Sequence, residues 1–190
     1  GSIDLDPNFV SADPDNAQFL HISEASPCID NGAGLSSIFT DDYDGDLRPS
    51  GSWDIGADEV VPPAINISGS RPAGYEVQLY VNGDYTGVDS DTGGEYSFTN
   101  VYAASYDVVH VVISESPKKG VTVGKPTTGV DLSGFDVTEN TLCVGNGTVT
   151  NTNIGLLDCS GDCDAYDVSG FSLTLKTDVG MKVADGATFE

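Results

Sequence analysis

A chain of 190 residues, 38% of them apolar and 23 of them glycine, is long enough for one full-sized domain or two small ones and has too much hydrophobic surface for a disordered polymer. Thirty Asp and Glu stand against seven Lys and Arg, and a formal charge of −23 argues against nucleic acid and anionic membrane as partners while leaving many oxygen ligands for hard cations. No window approaches the roughly 18 consecutive apolar residues of a membrane-spanning helix, and Gly1-Ser2 reads as a cloning remnant, so the start says nothing about a signal peptide.

The first sixty residues carry short ordered blocks instead of periodic runs. These are Asp6-Pro-Asn-Phe-Val10, Phe19-Leu-His-Ile22, Ser26-Pro-Cys-Ile-Asp-Asn-Gly32, Asp42-Tyr-Asp-Gly45 with Arg48-Pro49, and Asp54-Ile-Gly-Ala57 with Glu59. Residues 42–59 hold six carboxylates, an Arg and the only Trp, Trp53. Asp42, Asp44 and Asp46 alternate, so an extended loop brings all three toward one calcium ion, with Gly45 giving the backbone room. An EF-hand loop needs an acid at its twelfth position, and counted from Asp42 that position is Trp53, so an EF-hand is excluded. The competing use of the acids is a structural clamp: the planar guanidinium of Arg48 takes a carboxylate through two donors and holds distant loops in register, with Asp54, Glu59 and Trp53 as its partners. A catalytic carboxylate pair is the third use weighed, and the clamp is preferred to both.

Val60-Val-Pro-Pro63 reads as a linker, because consecutive prolines stiffen the chain and withhold backbone donors. Beyond it strand signals follow one another: Glu76–Val81 with period two, Glu95–Thr99, Tyr106–Ile113, Gly120–Val123 and Gly129–Val137. Asn82-Gly83 supplies a hairpin turn between positions that need positive φ, and Asp91-Thr-Gly-Gly94 supplies another. Short strands at about ten-residue spacing predict an antiparallel sandwich over 63–138. Six tyrosines there (75, 80, 85, 96, 102 and 106) divide by alternation between core packing, the preferred reading, and a sugar-stacking face.

Residues 139–190 change texture. Gly147-Thr-Val-Thr-Asn, Phe171–Lys176 and Met181–Phe189 are short alternating runs separated by single Gly or polar turns, the pattern of parallel solenoid rungs. About two rungs are legible, so this stretch is expected to be part of a longer array. Cys143, Cys159 and Cys163 cluster without the spacing or histidines of a zinc site, which leaves one disulfide among them open. Asp158, Asp162 and Asp164 invite a second calcium loop, against which the preferred reading is a solvated turn, since no acid occupies position 12 and no helix follows. His21 and His110 sit in strand-like runs without a nucleophile motif and read as packing histidines.

The ordered blocks of the first sixty residues resemble the C-terminal end of bacterial right-handed parallel β-helix proteins of the pectate-lyase-like kind. Two departures stand out: Cys28 where a small Ala is usual, and Asp58 where an aromatic is common. A small buried residue suits the first position, so Cys28 is expected to be a free, inert thiol. At the last coil of a β-helix the sheet edge needs cover, and a loop tied down by Arg48 beneath Trp53 supplies it. The middle stretch, through Val77-Gln-Leu-Tyr-Val-Asn-Gly-Asp84 and Gly94-Glu-Tyr-Ser-Phe-Thr99, is similar to Ig-like modules of bacterial surface proteins. Leu173–Glu190 is similar to a repeat of secreted Bacteroidetes proteins.

The expectation is therefore an all-β chain: a terminal β-helix-type segment over 1–62, an Ig-like antiparallel β-sandwich over 63–138, and a short β-solenoid-like segment over 139–190. The resemblances imply a secreted or cell-surface, non-catalytic structural or adhesive module with polysaccharide or another surface protein as partner and Ca2+ as the candidate ion. The rival class is an accessory part of a β-helix polysaccharide lyase or glycoside hydrolase.

Overall fold

The computed structural model describes residues 4–190 except 36, 39, 47, 49–52, 91–92, 114–118, 158–164 and 170–171. The chain is all-β, with several open sheets and, among the described residues, one four-residue helix, and divides into two compact units, Gly1–Val61 and Pro62–Glu190. The division falls between Val61 and Pro62.

Among the described residues the first unit holds isolated bridges instead of strand ladders: Phe9 with Ile22, Ser11 with Phe19, and Gly32 with Trp53. Pro, Gly, Asn and Asp interrupt every apolar run, and carboxylate side chains fold the backbone back on itself at Asp6, Asp13 and Asp42. One close approach sets the position of the tryptophan: the N–H of Gly32 donates to the Trp53 carbonyl at 2.5 Å, and a Cβ on Gly32 would lie 2.6 Å from the carbonyl oxygens of both Trp53 and Asp54. Only glycine permits that crossing.

The second unit is built on a six-stranded sheet. β1 (Ala64–Ser70), β2 (Val77–Val81), β3 (Asp84–Asp89), β4 (Glu95–Tyr102), β5 (Val109–Ile113) and β6 (Gly120–Gly124) pair antiparallel wherever they pair with one another: β1 with β4 in one sheet, and β3-β2-β5-β6 in the other. Asn82 (φ 52°) and Gly83 (φ 89°) form the two-residue turn between β2 and β3, the positive-φ geometry whose twist suits a hairpin. Residues 129–137, expected as a strand, instead run alongside β1 through one bridge, Ile67 to Leu132. Backbone bonds from Phe135 and Val137 to Ser68 and Ser70 carry the line onward. The carboxylates of Asp131 and Asp136 take the Asn66 and Ser70 amides that a full ladder would have paired.

Beyond residue 139 the pairing becomes parallel. β7 (Thr141–Asn146) lies parallel to β6, β11 (Gly180–Val183) lies parallel to β7, and both join the large sheet in the order β11-β7-β6-β5-β2-β3. After a corner, β8 (Thr148–Val149) is met in the same way by β12 (Thr188–Phe189). Between these rungs the chain makes the short helix α1 (Asn151–Ile154), capped reciprocally by Thr150 and Asn153, and the hairpin of β9 (Tyr166–Ser169) and β10 (Ser172–Leu175). β7 and β11 therefore share the large sheet with β2, β3, β5 and β6, within the same compact unit.

Every residue of β5 and of β6 is buried because two cores sandwich this sheet. On one face Val77, Leu79, Val109, Val111 and Ile113 meet Ile65, Ile67, Tyr96 and Phe98 from the β1–β4 sheet. On the other face Val112, Val121, Val123, Leu142 and Val144 meet Ile154 of α1, Leu157 of the turn after it and Tyr166 of the following hairpin. Strands covered on both faces lose the alternation that marks half-buried ones.

Candidate functional site

Arg48 and Glu59 form a buried ion pair in the first unit, Nη1 to Oε2 at 2.7 Å, with side chains only 3% and 5% exposed. The second terminal nitrogen of Arg48 donates to the Gly56 carbonyl at 3.1 Å, and the guanidinium carbon lies 5.0 Å from the Trp53 ring centroid, within cation–π range. The same Glu59 oxygen accepts from the Asp54 N–H at 3.1 Å. Asp54 holds two segments at once, accepting the Asp30 N–H and the Val60 N–H, each at 2.8 Å. The structure thus brings together all four residues of the expected clamp: Arg48, Trp53, Asp54 and Glu59.

The alternating aspartates go different ways. Asp42 Oδ1 accepts the N–H groups of Asp44, Gly45 and Asp46 at 2.9–3.0 Å, and its Oδ2 accepts that of Glu59 at 2.9 Å. Asp44 Oδ2 lies 3.0 Å from His21 Nε2, and Asp46 is exposed. The expected convergence of Asp42, Asp44 and Asp46 on one ion therefore does not form, because both oxygens of Asp42 already face backbone donors. A different group does gather among the described residues: His21, Asp44 and Asp58, each offering one ligand atom within 4.8 Å of the others. In it each imidazole nitrogen faces its own carboxylate, Nδ1 lying 3.5 Å from Asp58 Oδ1, while Asp58 Oδ2 accepts the Ile22 N–H at 2.8 Å. Both ring nitrogens of His21 thus face a carboxylate oxygen.

Burial and neighbouring charge set the electrostatics. Burial pushes the Glu59 carboxyl up to about 7, with Asp54 adding repulsion, although Arg48 and the Asp54 N–H pull the other way. Burial raises Asp54 too, against its backbone donors and Arg48. Burial also acts upward on Asp42, but four backbone N–H groups outweigh it and hold that carboxyl below its ordinary value.

The remaining expectations fall elsewhere. Asp158, Asp162, Asp164, Cys159 and Cys163 lie outside the described residues, and Cys143 is a buried free thiol, so the expected disulfide does not engage it. Cys28 is likewise free and buried. The tyrosines share no single face: Tyr96 is in the core between the sheets and bonds the Phe135 carbonyl, Tyr80 packs against the opposite core, and exposed Tyr102 follows buried Val101 on β4. His110 is fully buried beside the Asn153 and Ile154 backbone of α1, and burial lowers its imidazole below the ordinary value. Two further ties went unread in the sequence. Arg71 donates to the Gly93 and Asp89 carbonyls and pairs with the Asp89 carboxylate at 3.1 Å, closing the β3–β4 connection. Asp107 accepts from Asn82 and from the Ala104 N–H, fastening the β2–β3 turn. Comparison with family models, with curated proteins and with solved structures finds no match to this chain.

Proposed function

We propose that this chain is a non-catalytic structural and adhesive module of a secreted or cell-surface multidomain bacterial protein, with polysaccharide or another surface protein as its partner. In this reading the first unit is a terminal β-helix-type segment closed by the Arg48 tie, residues 63–138 form an Ig-like sandwich, and residues 139–190 are a solenoid-like stack. The five ordered sequence blocks support the first assignment, the antiparallel pairing of β1 to β6 the second, and the parallel rungs of β6, β7 and β11 the third.

One observation carries the functional reading: Asp42, Asp54, Asp58 and Glu59 all accept hydrogen bonds from backbone N–H groups. A general acid or nucleophile needs a carboxyl oxygen free to reach substrate, whereas these acids hold four separate segments against one another. Thermal unfolding of Arg48→Lys tests it. Lysine keeps the charge but loses the fork that reaches Glu59 and Gly56 together and the flat stack on Trp53, so a loss of about 1–3 kcal/mol is expected. Asp46→Asn, at an exposed position, should leave the midpoint within error. Equal midpoints for Arg48→Lys and the parent protein would remove the clamp from the account.

A further inference from the structure

The first unit is short of positive charge. Residues 1–61 hold thirteen Asp and Glu against a single Lys or Arg, and that one, Arg48, is paired with Glu59. Among the described residues neither Asp44 nor Asp58 has a Lys or Arg partner, and both turn an oxygen to the ring of His21. Backbone bonds hold the three side chains in place from outside the group. The Ile22 N–H donates to Asp58 Oδ2 at 2.8 Å, the Tyr43 N–H to the Ala57 carbonyl at 2.9 Å and the Asp44 N–H to Asp42 Oδ1 at 2.9 Å. The residue after His21 is thereby tied to Asp58, and the residue before Asp44 to the residue before Asp58. The imidazole, the Asp44 carboxylate and the second oxygen of Asp58 are left to face one another, with side chains 27%, 34% and 12% exposed.

The spacing is that of ligands on one ion. One atom from each of His21, Asp44 and Asp58 lies within 4.8 Å of the others, and Nε2 is 3.0 Å from Asp44 Oδ2. Two ligands bonded to a zinc-sized ion at about 2.0–2.2 Å stand roughly 3.0–3.5 Å apart. On the ring's far side Asp58 Oδ1 lies 3.5 Å from Nδ1, where a metal-bound histidine usually carries a carboxylate that fixes its tautomer and tilt. An imidazole nitrogen suits zinc and its neighbours, whereas calcium and magnesium take oxygen. We propose that His21 Nε2 and Asp44 bind a divalent cation of the zinc class, with Asp58 orienting the ring from Nδ1 and water completing the shell on the exposed side. With a neutral imidazole the two carboxylates balance the ion's charge. The ion joins the Phe19–Ile22 run to the Asp42 turn and to Ala57–Glu59, and supplies positive charge that the unit lacks. It uses none of the Arg48 contacts, so either tie can fail while the other stands.

The chain has two histidines and His110 is fully buried, so nitrogen-15 NMR of the two rings reads this site with an internal control and separates it from any thiol. Titrating Zn2+ into the chelator-stripped full chain at neutral pH should shift Nε2 of His21 until one ion is bound, keep the proton on Nδ1 and leave His110 unmoved. Ca2+ at the same concentration should move neither ring. Asp44→Asn should weaken the titration at least tenfold and Asp58→Asn about 10–100-fold, while Asp46→Asn, at an exposed position in the same turn, should match the parent. Asp58 also holds the Ile22 N–H, so the melting midpoint of each variant is read first, and the parent's ring signals with Asp44→Asn decide the matter if Asp58→Asn does not fold. A His21 ring unmoved by excess Zn2+, or Asp44→Asn titrating like the parent, overturns the proposal. Zinc on Nδ1 overturns the part given to Asp58, and an equal shift with Ca2+ overturns the class of ion.

Discussion

Glu59 is buried, paired and flanked by a second carboxylate, and its protonation shows how those demands balance. Because burial raises its carboxyl from 4.5 to about 7 in the folded chain, the folded state holds more protons than the unfolded one between those values. Its contribution to stability is therefore complete below about pH 4.5 and lost as pH rises through about 7. Asp42 has the opposite sign: its lowered carboxyl favours folding above 3.8, and that contribution is lost as pH falls below this value. Together these two groups favour the folded first unit most between about pH 3.8 and 4.5. Melting curves from pH 4 to 8 check this, with the parent losing stability between about pH 4.5 and 7 and Glu59→Gln showing a shallower slope. An identical slope in the two proteins would mean that folding leaves the Glu59 carboxyl unshifted.

At the scale of single elements, the β2–β3 turn shows what a sequence makes visible. Asn82-Gly83 declares itself, since only such residues sit readily at φ 52° and 89°, and the structure adds a second demand: a Cβ on Gly83 would collide with the Leu156 carbonyl from the turn after α1. Gly83→Ala therefore meets strain and collision together and should cost about 2–4 kcal/mol, read from the urea midpoint at unchanged m-value. Other elements were harder to see. β7 reads Thr-Leu-Cys-Val-Gly-Asn, and burial of Leu142, Cys143 and Val144 in succession erased the alternation that reveals a half-buried strand. β1 opens directly after two prolines and lies outside the expected strand runs, while 129–137 has strand composition yet gives its pairing to Asp131 and Asp136 side chains. In the site, the Arg48 tie was legible because one cation stood among many acids. The Asp42 turn was not, since Asp-x-Asp-Gly serves an ion or backbone amides equally well. Asp58 stood out only as a departure and His21 only as a packing residue, and nothing in the sequence pairs them across 37 residues.

Over the whole molecule, the two units are held by different means. Pro62–Glu190 has an apolar core on each face of its large sheet, with Ile65, Ile67, Leu79 and Ile113 in one, Leu142 and Ile154 in the other, and all of these at 1% exposure or less. Gly1–Val61 buries only Ile22, Cys28 and Trp53 among its described apolar side chains and relies on Asp42, Asp54, Asp58 and Glu59 instead. Hydrophobic burial is the dominant favourable term in folding, and polar ties contribute little net stability on their own because folding exchanges them for bonds to water. Residues 62–190 expressed alone should therefore unfold in one cooperative calorimetric transition close to that seen for this unit in the full chain. Residues 1–61 alone should show a weak transition or none, with flat near-ultraviolet dichroism where an ordered Trp53 would give a band. A full-strength transition from the 1–61 fragment would show that the web of carboxylates suffices as a core, and the polar ties would then have to be ranked above the buried tryptophan in holding that unit together.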